Sequence, residues 1–299
     1  ADCAVLNPPR LTACMTVLRS VLIVLASLLG SLAAAEAPGH AHFDFASGGH
    51  RLRVWYHRPA AASADAPVLF VIHGVGRNAE EYLADWIEQA EQQRCLLVVP
   101  EFSKAEFPGE EAFNSGNLFD ATGRLRPRAE WSYSMIEPLF DEVRARLGST
   151  RGDYLIYGHS AGAQFVQRFL YFVPAARVSR ACAANAGWYM LPDLAGAFPY
   201  GLKGTPVDTA ALRTAFARSV VVLLGEADTD PRHAALRHTP EADAQGLHRF
   251  ARGQFFFAHV QAAAAALGAP CNWTLATAPG IAHSNKGMAP FAARQLFPH

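Results

Sequence analysis

Residues 153–162 read Asp153-Tyr154-Leu155-Ile156-Tyr157-Gly158-His159-Ser160-Ala161-Gly162, and a segment of helical period follows as far as Phe172. A short apolar run of this kind fits a strand, so the stretch is a strand, a G-x-S-x-G turn and a helix in immediate succession. The two glycines have a steric reason: the chain must turn sharply from strand into helix, and side chains at 158 and 162 would collide with neighbouring backbone. Such a turn pushes Ser160 out at the carboxyl end of the strand and the start of the helix. There the free N–H groups and the positive end of the helix dipole favour a developing negative charge. G-x-S-x-G alone recurs by chance. Its setting between a buried strand and a helix makes Ser160 a candidate nucleophile.

The segments on either side repeat the alternation. Residues 68–72, 96–99 and 220–224 are continuous apolar runs like 154–157, as strands buried on both faces of a parallel sheet are, while 51–57 alternates with period two, as a half-buried strand does. Helical patterns are predicted over 78–92, 132–147, 161–172, 209–218, 247–267 and 287–296. Asn78 with Glu81 three residues later reads as a capping box. Phe255, Phe256, Phe257, His259 and the alanines at 262–266 read as a helix buried against the sheet. Strand and helix in alternation predict an α/β fold with a mostly parallel central sheet covered by helices on both faces. No internal repeat, linker or second domain is apparent.

A serine hydroxyl at neutral pH is a weak nucleophile; it needs a base, and the base needs an acid to hold its tautomer. On this topology the acid and the histidine follow the serine in that order. Past the run ending at Leu224 come Gly225-Glu226-Ala227-Asp228-Thr229-Asp230, and past the apolar segment 272–278 come Pro279-Gly280-Ile281-Ala282-His283. Of twelve histidines, only His283 follows the last strand in a glycine-containing loop. His159 adjoins the serine but points away from the turn, which suits packing. Glu226, Asp228 and Asp230 also alternate as calcium ligands would, although such a loop wants more oxygens. Two N–H donors are needed for an oxyanion: that of Ala161, after the serine, and one from His73-Gly74-Val75-Gly76, after the strand 68–72. Val75 is the preferred second donor and Gly76 the other. The segment 101–131 should overhang the site, with Trp131, Tyr133, Trp188 and Tyr189 as candidate aromatic walls, each equally at home in a core. Between 185 and 218 there is room for one helix only.

On His73-Gly74, Gly158 to Gly162, Gly225 with Asp228, and His283, the chain resembles the α/β-hydrolase superfamily over roughly residues 50 to 296. Within it the chain is similar to secreted esterases of the polyhydroxybutyrate depolymerase and feruloyl esterase kind. That resemblance implies an α/β-hydrolase fold, a Ser160-Asp228-His283 triad, no cofactor, and carboxylic ester substrates of bulky, aromatic or polymeric character. It also selects Asp228, three residues after the strand-ending glycine, with Asp230 as the alternative acid. Where the hormone-sensitive-lipase branch carries His-Gly-Gly-Gly, this chain has His73-Gly74-Val75-Gly76, which argues against that branch's small acyl esters. A peptidase or acyltransferase on the same fold, or a non-catalytic ligand-binding homologue, remains open from sequence.

Composition bounds the remainder. The 299 residues are 51% hydrophobic and 17% charged, against a usual charged fraction of about 25%, so a large core is available and disorder is excluded. Lys plus Arg and Asp plus Glu balance at 26 each with no basic block, which argues against a nucleic-acid partner. Residues 21–35 are almost wholly apolar, follow Arg19 and end in Ala33-Ala34-Ala35, the form of a cleavable secretory signal. A stable membrane anchor would need about 20 apolar residues, more than this run has. The expectation is a leader over 1–35, with Met15 able to open it alone, and a single catalytic domain over 36–299. The mature product would be secreted or periplasmic, and a monomer is favoured. Cys95, Cys182 and Cys271 remain after cleavage and allow at most one bridge; no spacing suggests a metal site.

Overall fold

The protein is described by a computed structural model covering residues 37–297 together with 1, 2 and 4, so the expected signal core at 21–35 lies outside the described residues. The chain divides into two units, Ala1–Ala35 and Glu36–His299, and every element below belongs to the second. Eight strands form one sheet: β1 (Gly39–Ser47), β2 (His50–Arg58), β3 (Val68–Ile72), β4 (Leu96–Glu101), β5 (Tyr154–His159), β6 (Val178–Ala184), β7 (Val220–Gly225) and β8 (Trp273–Ala278). They lie in the order β1-β2-β4-β3-β5-β6-β7-β8. β2 pairs antiparallel with both β1 and β4, and all other neighbours are parallel.

Period two along the buried strands divides their side chains between two cores. Val68, Phe70 and Ile72, with Tyr154, Ile156, Val220, Val222 and Leu224, face one core. Leu69, Val71, Leu155, Tyr157, Val221 and Leu223 face the other. Eight helices accompany the sheet among the described residues: α1 (Ala79–Gln93), α2 (Gly109–Ala112), α3 (Ile136–Leu147), α4 (Ala161–Phe172), α5 (Thr209–Phe216), α6 (Pro240–Asp243), α7 (Arg249–Ala266) and α8 (Asn285–Leu296). Helices α3, α4, α5 and α7 fill the first core, and α1 and α8 fill the second. Both faces of the sheet are thus covered, as the buried-strand pattern predicts.

Some expectations need correction. Asn78 caps no backbone N–H of α1; its amide bonds the Glu81 carboxylate instead, so the capping box does not form. The segment 132–147 begins as a 3₁₀ turn over Ser132–Met135 before α3. Helix α7 is buried along one stripe only, through residues such as Gly253, Phe256, Val260 and Ala264, while His259 is exposed. Cys95, Cys182 and Cys271 are all free, which agrees with the expectation of at most one bridge.

Candidate active site

Ser160 sits between β5 and α4 with φ 60° and ψ −119°, a conformation that a side-chain-bearing residue holds only when its surroundings impose it. What imposes it is close packing at the two glycines. A Cβ on Gly158 would lie 2.1 Å from the Gly162 carbonyl oxygen, and one on Gly162 would lie 2.0 Å from that of Ile72. The strand, the turn and the first turn of α4 are therefore in backbone contact with one another and with the end of β3. Half-buried Ser160 is left projecting at the carboxyl edge of the sheet.

Two further strand ends bring the histidine and the carboxylate. Ala227 N–H donates to the Ile281 carbonyl (2.9 Å) and Glu226 N–H to that of Ala278 (3.1 Å), which ties the loop after β7 to the loop after β8. The approach is so close that a Cβ on Gly225 would lie 2.4 Å from the Ile281 oxygen. Asn185, at the end of β6, accepts from Gly225 N–H (2.7 Å) and donates to the Ala282 carbonyl (3.3 Å), bracing both loops. The outcome is a continuous chain of hydrogen bonds: Ser160 Oγ to His283 Nε2 at 3.0 Å, and His283 Nδ1 to Asp228 Oδ2 at 2.8 Å. With Asp228 ionised the imidazole carries its proton on Nδ1, so Nε2 offers a lone pair to the Ser160 hydroxyl. Asp228 is 3% exposed. Burial holds His283 below the ordinary histidine range, partly opposed by its bond to Asp228, so the ring stays neutral and able to accept a proton.

The other carboxylates go elsewhere. Glu226 accepts from the Thr277 hydroxyl (2.7 Å), and exposed Asp230 accepts from Arg232 N–H (2.8 Å). The three do not converge as a calcium loop would, and no cluster of metal-binding type occurs among the described residues.

The turn after β3 lies directly against Ser160: a Cβ on Gly74 would be 3.5 Å from that of the serine. Its own bond runs from Arg77 N–H to the Gly74 carbonyl (3.1 Å), leaving Val75 at the cleft with a largely exposed side chain. Buried His73 holds the turn. Its Nε2 accepts from Phe102 N–H (3.0 Å) and its Nδ1 donates to the Gly74 carbonyl (3.0 Å), a neutral tautomer kept by burial, which lowers its pKa to about 4. Arg77 adds bonds to the carbonyls of Phe107 (3.1 Å) and Gly109 (2.7 Å), fastening the turn to the start of α2 and the residues just before it. Ala161 is the first residue of α4, where N–H groups have no partner within the helix.

A cleft of about 420 Å³ over His159, Ser160 and His283 opens between the start of α1 and the start of α8. A smaller hollow of about 150 Å³ continues from Ser160 and Ala161 past Asn114, Gln164, Trp188 and Arg237. The expected aromatic wall is largely absent. Trp131 is buried against Phe172 at the far end of α4, its indole N–H on the Arg126 carbonyl (3.0 Å). Tyr189 is stacked on Phe256 with ring centroids 4.3 Å apart, inside the core. Tyr133 lies on Phe172 in the same core. Only Trp188 reaches the cleft wall. The guanidinium groups of Arg168 (4.2 Å) and Arg237 (4.7 Å) both lie over its ring, and 3% of its surface is exposed. Part of the segment 101–131 does overhang the site, through Glu110 and Asn114. Between Asn185 and Arg218 there is the one helix expected, α5. The stretch between β7 and α7, not singled out from sequence, supplies Ala235 and Arg237 to the hollow and His233 beside His283. His159 packs as expected, its ring 4.6 Å from that of His283 and its Nδ1 3.0 Å from the Tyr82 hydroxyl.

No protein-family model and no curated protein matches the chain. Solved structures do. Poly(aspartic acid) hydrolase-1 from Sphingomonas sp. KT-1 is 48% identical, with a TM-score of 0.85 over 87% of this chain and 99% of that one. A poly(3-hydroxybutyrate) depolymerase from Bordetella parapertussis is 33% identical, with a TM-score of 0.83 over 87% of this chain and 91% of that one. An S-formylglutathione hydrolase from Agrobacterium tumefaciens, 15% identical with a TM-score of 0.56 over 88% and 98% of the two chains, shares the fold. With near-complete coverage of two hydrolases at these identities, the chain belongs to the α/β-hydrolase superfamily, among its depolymerase-like hydrolases.

Proposed function

We propose that this hydrolase cleaves carboxylic acyl bonds, esters in the first place, through a covalent acyl-enzyme on Ser160. The reading is carried by one observation, the hydrogen-bonded succession Ser160, His283, Asp228. Ser160 Oγ attacks the acyl carbon as its proton passes to His283 Nε2, and Asp228 stabilises the imidazolium so formed. The carbonyl oxygen takes up the negative charge and is met by the N–H groups of Ala161 and Val75. His283 returns the proton to the leaving oxygen, the C–O bond breaks, and the alcohol departs. Water then repeats the attack with His283 as base, releasing the acid and restoring the Ser160 hydroxyl.

Among the described residues no domain-sized cover lies over the cleft, which suits a polymer chain lying across the site. A second reading, cleavage of an amide polymer, is favoured by the 48% identity to a poly(aspartic acid) hydrolase. The machinery serves both bonds, the leaving group being an amine rather than an alcohol. Turnover of p-nitrophenyl esters, poly(3-hydroxybutyrate) emulsion and poly(aspartic acid) by the purified protein, with fluorophosphonate labelling, tests both. Labelling at Ser160 with ester turnover supports the first reading, and release of amines from poly(aspartic acid) alone supports the second. A protein that neither labels nor turns over any of the three is not a serine hydrolase.

We further propose that residues 1–35 are a cleaved export signal and that the enzyme works outside the cytoplasm. Among the described residues no helix is long and apolar enough to cross a membrane. N-terminal sequencing of protein recovered outside the cytoplasm should begin near Glu36; an intact leader on a membrane-embedded product would contradict export.

A further inference from the structure

The first turn of α7 carries an arginine, a placement that the helix dipole disfavours. Its surroundings supply a reason. Arg249 is buried, with 1% of its side chain exposed, and its Nη1 lies 3.4 Å from Asp228 Oδ1, the carboxylate oxygen that His283 leaves unused. Its Nη2 lies 3.2 Å from His233 Nδ1, and the His233 ring stands edge-on to His283 with centroids 5.3 Å apart. Phe250 N–H donates to the Asp228 backbone carbonyl (3.2 Å), so the same helical turn grips the acid by main chain and side chain. A buried cation of this kind is costly unless paired, and among the described residues Arg249 Nε has no hydrogen-bond partner.

We infer that Arg249 is a positioning residue for the triad, holding the outer oxygen of Asp228 at one end and His233, against the outer edge of His283, at the other. This rests on the triad reading above. Held from both sides, the carboxylate cannot rotate away from His283 Nδ1. The guanidinium charge also weighs against protonation of His283 in the resting enzyme. Facing that ring are Asp228 and His233 from the segment after β7, Arg249 from α7 and His159 from β5, with Glu81 and Asp85 of α1 and Lys286 of α8 lining the cleft. Burial is the main cause that lowers the His283 pKa; Arg249 and His233 add to it, and only Asp228 opposes. Hydrolysis needs the neutral ring, so it is lost as pH falls through the His283 pKa, and a lower pKa extends activity towards acid. Removing the Arg249 charge raises that pKa and brings the loss to higher pH.

The experiment is kcat and kcat/KM against pH for wild type, Arg249→Gln and Arg249→Lys, on the best substrate of the panel above. Arg249→Gln is expected to lower the plateau kcat about tenfold at nearly constant KM and to move the acid limb upward by about 0.5–1 pH unit. Arg249→Lys keeps the charge but cannot span both partners, so its limb stays in place while kcat still falls. A purely structural arginine would lower melting temperature and the amount of active protein without moving the Gln limb, and that result overturns the inference. Should the Gln variant not fold, wild-type kcat in the Lys variant overturns it equally, because the two-ended hold would then be unnecessary. Ser160→Ala, run alongside, tests the triad reading: it loses turnover whatever Arg249 does.

Discussion

Replacing Ser160 with alanine is expected to abolish fluorophosphonate labelling and to lower kcat by several orders of magnitude, on the order of 10⁶ for a triad serine, with a small residue of activity left by the oxyanion donors. The fold should survive. Alanine can hold the φ of 60° as well as serine does, and the contacts at Gly158 and Gly162 that create the turn are unaffected. The Asp228–His283 bond is also left intact. Kinetics with an unchanged circular dichroism spectrum and melting temperature would isolate the chemical loss. Turnover within about tenfold of wild type would remove Ser160 from the chemistry and, with it, the whole functional reading.

Asp228→Asn is expected to cost less but still heavily, as much as about 10⁴ in kcat, whereas Asp230→Asn should leave the enzyme near normal. The environment of Asp228 makes the first loss severe. Both of its oxygens face donors, His283 Nδ1–H and the Arg249 guanidinium. An asparagine has one oxygen to offer, and Arg249 has no other protonation state to adopt. The amide therefore turns its oxygen to Arg249 and its NH₂ to His283, forcing the ring's proton onto Nε2, where it can no longer accept from Ser160. Asp230 is exposed and accepts only from a neighbouring backbone N–H, a bond that asparagine keeps. Parallel kinetics of the two variants decide the matter. A crippled Asp230→Asn enzyme beside a near-normal Asp228→Asn enzyme would reverse the assignment.

Two strands escaped the sequence pattern for opposite reasons. β1, Gly39–Ser47, buries only Phe43 among polar neighbours because it is an edge strand paired on one side, so little apolar alternation is required of it. β6, Val178–Ala184, has three alanines with Ser179 and Arg180 among its seven residues, and Val178 is its one β-branched aliphatic, so no apolar run marks it. It is a strand because its backbone pairs in parallel with β5 on one side and β7 on the other. In both cases tertiary context overrode local preference.

The site divides along the same line. The turn around Ser160 was legible because its cause is local: a buried strand, two glycines and a helix within twenty residues can pack only by turning sharply, and the serine then has one place to go. The parallel α/β architecture was legible too, since burial on both faces leaves continuous apolar runs. What sequence alone left undecided depends on residues far apart in the chain. Among three carboxylates in five positions, only resemblance selects Asp228, with Asp230 as the alternative; what carries Asp228 to His283 is the pair of loops after β7 and β8 that Gly225 and Asn185 bind together. Trp131, Tyr189 and Trp188 are alike as residue types, yet only Trp188 stands at the cleft, because side-chain chemistry does not reveal which end of a helix or which layer of a core a residue occupies. Arg249 carries no mark in the sequence; the packing of α7 encloses it against Asp228. Local sterics and periodicity determine the elements and the turn. The partners of a buried charge are set by long-range packing, which brings together positions that carry no mark of one another in the sequence.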